Sequence, residues 1–301
     1  MPSSISAYST FRPLNIFGLQ VLSKKLLPTG TLEIGSTYKP TSSSFSTASA
    51  NKPRGGLPRF YSEVLPAGKD KIVRIEGDEF WHMTKALRLG VQDRVELFNA
   101  RGGLVEGVVL RVERSSADIV ALEEPLLLTP TGVQWHVFAA FGTLKGGRAD
   151  WLIEKCTELG ASSVTPLLTE RSTLISGNRV ERWQRVMLAA IKQCQRLHQM
   201  VVKTPTGIES ILPRIETSSV SFLAMAEATP IVEVLPKVDK KDGGLLIVGP
   251  EGDFTDKEVR ALTEAGAIPV GLGPCRLRVE TATIALLAAA MLWADAQPID
   301  L

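Results

Sequence analysis

The chain has 301 residues, 44% hydrophobic and 22% charged, enough apolar surface for one large domain or two ordinary ones, and a balance that excludes global disorder. No apolar run reaches the roughly 20 residues needed to cross a bilayer; the best candidate, Thr281 to Ala294, is uncharged but too short and reads as a buried helix, so no membrane partner is expected. The formal charge of +2 hides an asymmetry: residues 1–56 carry six Lys/Arg and one acid, leaving 28 basic and 31 acidic residues in 57–301, so nucleic-acid binding would have to come from a local patch rather than bulk charge.

Residues 1–50 contain seventeen Ser/Thr and one acid, with short apolar pieces such as 15–22 followed by Lys24 and Lys25. Acid-poor, hydroxyl-rich N-termini resemble organellar transit peptides. Residues 1–56 are therefore expected to be a leader, with a chloroplast favoured over a mitochondrion by its low arginine and high serine; a disordered tail with no address is the alternative. From Leu57 to about residue 125, β-rich runs at 72–75, 94–98, 104–112 and 118–122 are separated by glycine-bearing turns. One short helix, 78–89, fits between them with Asp78 as N-cap. Close spacing of short strands predicts a small β-barrel.

From residue 130 to 298 the pattern becomes α/β. Strands fit 134–141, 163–168, 220–226, 245–248 and 268–271; helices fit 149–159, 179–198, 256–265 and 280–294. Such alternation predicts a parallel sheet covered on both faces. Cys156, Cys194 and Cys275 are far apart, as are His82, His136 and His198. Neither a disulfide framework nor a metal site is expected from that spacing.

Two segments carry the chemistry. An apolar strand runs from Leu245 into Gly249-Pro250-Glu251-Gly252, and a helix follows with Thr255 and Glu258 spaced as a capping box. Glycines at the carboxyl end of a strand let a ligand approach the backbone, and in open α/β sheets that edge is where ligands bind; a ligand-free βα turn is the other reading. The second segment, Val270 to Ala282, again passes from a short strand through a Gly/Pro loop into a long apolar helix, and it places Arg276, Arg278 and Glu280 between two apolar elements. Either these form salt bridges at a helix start, or the two loops together wall one pocket. The usual dinucleotide and P-loop spacings are absent; Gly142-Thr-Leu-Lys-Gly-Gly147 does not fit the latter.

The pair Gly249-Pro-Glu-Gly252 and Leu272-Gly-x-x-x-Leu-Arg-x-Glu-Thr-Ala282 resembles the RsmE family of ribosomal RNA uridine-N3 methyltransferases. Leu57-Pro-Arg-Phe-Tyr61, 82–89, 145–160 and Arg182-Trp-x-Arg to Arg196 are similar to further family motifs, so the resemblance spans about residues 57–296. It implies a C-terminal trefoil-knotted SPOUT methyltransferase domain, an N-terminal PUA-like β-barrel for RNA, a homodimer and S-adenosylmethionine as methyl donor. The donor would lie against Leu223, Gly249, Pro250, Glu251, Gly252, Leu272, Gly273, Leu277, Arg278, Thr281 and Ala282; core packing is the other reading of Leu223. The resemblance also implies a partner in small-subunit ribosomal RNA or the assembled small subunit, and no metal. Arg278 is the candidate for stabilising a uracil N3 anion, and Glu280 for orienting Arg278 or accepting a proton; an Arg278–Glu280 pair that only fixes the loop is the alternative. Arg59, Arg88, Lys145 and Arg196 are the candidate RNA contacts, supported by nine Lys/Arg against five acids in residues 140–200. The chain departs from the family's usual residues at Asp253 and Gln195, where glycines are usual, and at Lys192, Cys275 and Val279. An RNA-binding assembly factor with impaired catalysis and a knotted methyltransferase for another RNA are the competing readings.

Overall fold

A computed structural model describes residues 56–172, 177–237 and 243–296. The leader expected over 1–56 lies outside the described residues except for Gly56, as do residues 297 and 298 of the second expected domain.

The first region comprises β1 (Arg59–Tyr61), β2 (Ile72–Glu76), α1 (Gly77–Trp81), β3 (Arg94–Phe98), β4 (Gly103–Val112), β5 (Ser116–Ala121) and β6 (Leu126–Leu127). Among the described residues the strands pair in the order β1-β3-β4-β5-β2, with β6 added to β4. Only β1–β3 is parallel. The alternation along β4 buries Val105 and Val109 and, with Phe60, Ile75, Val95, Leu97 and Ile119, fills one core, as a half-buried antiparallel sheet requires. On the outer surface Arg74 and Arg111 clamp Asp118 and hold its carboxyl down at about 2. The expected helix 78–89 is a correction in part: α1 begins at Gly77, its cap is Glu76 and not Asp78, and from His82 to Ala86 the turns widen to π geometry. Glu79 explains part of that start, because its carboxylate accepts the Tyr61 N–H and pins the helix to β1.

The second region comprises β7 (Trp135–Ala139), α2 (Arg148–Glu158), β8 (Ser163–Leu168), α3 (Gly177–Cys194), β9 (Val201–Val202), β10 (Thr206–Gly207), α4 (Ile208–Thr217), β11 (Ser221–Ala224), α5 (Ile231–Val234), β12 (Gly244–Val248), α6 (Asp256–Glu264), β13 (Ile268–Val270) and α7 (Val279–Asp295). Its strands, among the described residues, pair in parallel in the order β10-β8-β7-β12-β11-β13, with β9 beside β8. The period of two along the central strands explains their hydrophobic runs. Trp135, Val137, Phe222, Leu246 and Val248 face one core with Leu152, Trp183 and Leu286 of α2, α3 and α7. Phe138, Leu223, Leu245 and Ile247 face the other with Ile211 and Leu262 of α4 and α6. A side chain of this size, fully buried, contributes about 1.5–3 kcal/mol. Helix α4 is not evident in the sequence because Pro213 interrupts its pattern.

The two regions join through the turn after α3. Gly102 and Gln199 N–H groups donate to Leu197 and Ala100 carbonyls, His198 Nε2 bonds the Leu128 carbonyl, and Lys192 lies 4.9 Å from the Tyr61 ring centre.

Candidate active site

Because the second sheet is parallel, the carboxyl ends of β11, β12 and β13 lie along one edge. Two glycine-bearing loops leave it there: residues 249–255 after β12 and 271–278 after β13.

The first loop is closed by its own contacts. The Asp253 N–H donates to the Pro250 carbonyl at 2.9 Å. Thr255 and Glu258 form the reciprocal capping box expected from their spacing, and the other oxygen of Glu258 accepts the Glu170 N–H at 2.8 Å. A Cβ on Gly249 would lie 2.9 Å from the Phe254 ring, so that glycine is required by the protein's own packing. A Cβ on Gly252 would meet nothing closer than Arg171 at 3.5 Å. Arg171, beyond β8, donates to the Gly252 carbonyl, and Arg276 donates to the Glu251 carbonyl, which ties the second loop to the first.

The second loop is anchored at Gly271, whose N–H donates to Thr229 and whose carbonyl accepts from Ile231. A Cβ there would lie 2.4 Å from the Ala228 carbonyl oxygen. Gly273 has φ of +114°, a backbone state that favours glycine, and a Cβ on it would find nothing within 4 Å. Leu272 and Leu277 are half-buried against the core, Thr281 is exposed and Ala282 is buried.

The charged residues resolve differently from the sequence expectation. Arg278 is the N-cap residue of α7; its guanidinium is exposed and has no hydrogen bond or ion pair among the described residues. The alternative Arg278–Glu280 pair does not form. Glu280 is buried and its Oε1 receives Arg148 Nη1 at 3.4 Å, while the same nitrogen donates to Glu251 Oε1 at 2.9 Å. Glu280 Oε2 is buried without a partner. The Leu223 side chain is fully buried in the core that it shares with residues of β12 and α6. Sequence reasoning misses Arg148 because both partners are distant in the chain; its position at the start of α2, in a lysine- and glycine-bearing segment, is the one available signal.

Beside Arg148 lies an open groove of about 680 Å³, lined by residues 142–147 and by Asn178, Arg179, Arg182 and Trp183 of α3. Arg179 braces it by donating to the Gly142 and Leu144 carbonyls, and Arg182 pairs with Asp150 at 2.5 Å. Lys145 on its rim and Arg88 in the first region are exposed and their side chains are unpaired among the described residues. The other two candidate RNA contacts need correction. The Arg59 side chain is 8% exposed and ion-paired with Glu96 at 2.8 Å. Arg196 donates to the Thr157, Gly160 and Ala161 carbonyls at the end of α2, a C-terminal cap that also satisfies the helix dipole.

A doubly covered parallel sheet with paired loops at its carboxyl edge joins a ligand-binding edge to a basic groove suited to a polyanion, with a small curled β-domain attached. Residues 132–291 match the family described as RNA methyltransferase domain, and residues 75–122 match the RNA methyltransferase PUA domain; the chain belongs to this RNA methyltransferase family. It is 25% identical over 238 residues to the ribosomal RNA small subunit methyltransferase E of Buchnera aphidicola subsp. Schizaphis graminum, covering 77% of this chain and 95% of the relative. It is similar to the crystal structure of a ribosomal RNA small subunit methyltransferase E from Neisseria gonorrhoeae bound to S-adenosyl methionine, with TM-score 0.66, 25% identity and coverage of 80% and 100%. A probable rRNA-methyltransferase from Porphyromonas gingivalis gives TM-score 0.66, 25% identity and coverage of 79% and 99%.

Proposed function

We propose that this chain transfers a methyl group from S-adenosylmethionine to N3 of a uridine in small-subunit ribosomal RNA. The observation that carries the reading is the unpaired Arg278 guanidinium two residues before a buried Glu280 whose Oε2 has no partner, at the junction of the two loops. The names of the relatives support the substrate class. The loops fit the donor chemically: Leu272 and Leu277 offer half-buried apolar surface, and Gly252 and Gly273 leave backbone uncovered. Pro250, Glu251, Thr281 and Ala282 complete the proposed lining. Bound there, S-adenosylmethionine supplies an electrophilic methyl group.

The chain's own residues do the rest. Arg278 would donate hydrogen bonds to the uracil carbonyl oxygens as negative charge develops on the ring, and docking of the base excludes water and strengthens that interaction. Glu280 would accept the N3 proton. Lys145 and Arg88 would hold phosphates, giving affinity that falls with salt, and the base would have to be unpaired or turned out of its helix. Self-association into a dimer belongs to the proposal, with exposed Leu292 on α7 and Trp151 on α2, two helices in mutual contact, as candidate surface; sedimentation of the purified chain as a monomer would remove it.

Nucleoside mass spectrometry of small-subunit RNA, from cells with and without the protein, tests the activity. Selective loss of N3-methyluridine, restored by the intact chain and not by Arg278→Ala, is expected; unchanged N3-methyluridine would overturn the reading. Residues 1–56 are proposed to direct the chain to a chloroplast, with a mitochondrion as the alternative. A fluorescent fusion of that segment should enter plastids, and a diffuse cytosolic signal would defeat the assignment.

A further inference from the structure

The Arg148 guanidinium occupies an unusual position for a helix-start residue. It stands on α2 and reaches one carboxylate of the first loop, Glu251 across 103 residues, and one in the first turn of α7, Glu280 across 132. The two carboxylates are not equivalent. The Glu251 side chain is 53% exposed and can be solvated by water, whereas that of Glu280 is 9% exposed. Arg148 engages only Oε1 of Glu280, and Oε2 is left buried and unsatisfied. A buried carboxylate oxygen without a partner is costly, and proteins retain one where a ligand or a proton completes it.

We propose that Arg148 is a positioning residue: by holding Glu251 of the first loop and Oε1 of Glu280 at the start of α7, it sets the loops in register and turns Oε2 of Glu280 into the acceptor for the N3 proton of the target base. This rests on the uridine-N3 reading above. A permanently charged, planar guanidinium suits the task, because it fixes a carboxylate's orientation without competing as a base. The charged groups in contact here are Arg148 from α2 with Glu251 and Glu280, and Arg276 from the second loop on the Glu251 carbonyl. In the reaction the N3–H bond gives its proton to Oε2 and the N3 electron pair forms the N–CH3 bond. The S–CH3 bond breaks with its electrons on sulfur, leaving S-adenosylhomocysteine, and Glu280 then returns the proton to water.

The test compares wild type, Glu280→Gln, Arg148→Met and Arg148→Lys on RNA carrying uridine or 5-fluorouridine, whose N3 proton is more acidic. Thermal melts and calorimetric S-adenosylmethionine affinity accompany each variant. Glu280→Gln is nearly isosteric and is expected to lower the single-turnover rate on uridine about 100-fold, within the usual range for loss of a general base, and on 5-fluorouridine by less than about tenfold on the same scale. Arg148→Met is expected to lose more rate on uridine than on 5-fluorouridine, because a misplaced Glu280 matters most where the N3 proton is least acidic; Arg148→Lys should recover part of that loss. Equal losses on the two RNAs for Glu280→Gln or for Arg148→Met, or an Arg148→Met defect confined to donor affinity, would overturn the inference. Wild-type product lacking N3-methyluridine would instead bring down the functional reading, and this inference with it.

Discussion

The two loops at the sheet edge are built on opposite principles. The first is internally finished: its glycine packs on Phe254, its turn is closed by Asp253 and Pro250, and its exit is fixed by the Thr255–Glu258 box and the Glu170 N–H. The second is anchored where it leaves β13, at Gly271, and by the one Arg276 bond to the Glu251 carbonyl; Gly273, Cys275, Arg276 and Arg278 are all exposed, and α7 begins without a side-chain cap. The first loop thus has its polar groups satisfied by the protein, while the second keeps polar groups available. The proposed donor, Arg278, thus stands on the loop whose polar groups are free to meet a substrate, beside a wall that is already fixed.

Breaking the second loop's chemistry should give the largest effect. Arg278→Ala removes a side chain with no partner among the described residues, so the melting temperature should hardly change while the single-turnover rate falls about 100-fold, or about 2.7 kcal/mol. A rate within twofold of wild type would remove Arg278 from the chemistry. Breaking the second loop's anchor should act on folding instead. Gly271→Ala places a methyl 2.4 Å from a backbone oxygen, and overpacking of this kind costs about 1–3 kcal/mol; an unchanged urea midpoint would mean that the strand end yields freely. Glu258→Ala removes one side of the cap together with the acceptor for Glu170. Loss of a cap costs typically about 1 kcal/mol, so denaturant unfolding should show a smaller drop than for Gly271→Ala, with donor affinity nearly retained.

The parts of this site legible in the sequence are those whose determinants are local. Strands Arg94–Phe98 and Ser163–Leu168 have the predicted bounds, because turn residues flank a β-rich run on both sides. The Thr255–Glu258 box needs only a spacing of three. Strands β1, β6, β9 and β10 have two or three residues, too few to display a period. Long-range pairing is the least legible. Arg59, Arg148 and Arg196 look alike in the sequence as motif arginines, and only the fold assigns them to Glu96, to Glu251 with Glu280, and to the carbonyls ending α2. Two of the chain's departures from the family's usual residues do acquire a physical meaning: Asp253 and Gln195 both have positive φ, +66° and +56°, where glycine carries no steric cost.

Asp253→Gly should produce the smallest effect and is the sharpest probe of the first loop's finish. Glycine would relieve a left-handed conformation that costs a non-glycine residue of order 1 kcal/mol, though least for Asp and Asn. Against that gain stand two losses. The Asp253 carboxylate accepts the Phe254 N–H at 3.1 Å, and such a local bond contributes about 0.5–1.5 kcal/mol. Glycine also gives the unfolded chain more freedom to lose, worth about 0.4–1 kcal/mol. The terms nearly cancel, so the expected change is within about 0.5 kcal/mol, with a slight destabilisation favoured because two losses oppose one gain. Differential scanning calorimetry resolves this. A stabilisation above about 1 kcal/mol, comparable to the full left-handed strain, would show that the loop is strained where its hydrogen bonds indicate that it is settled.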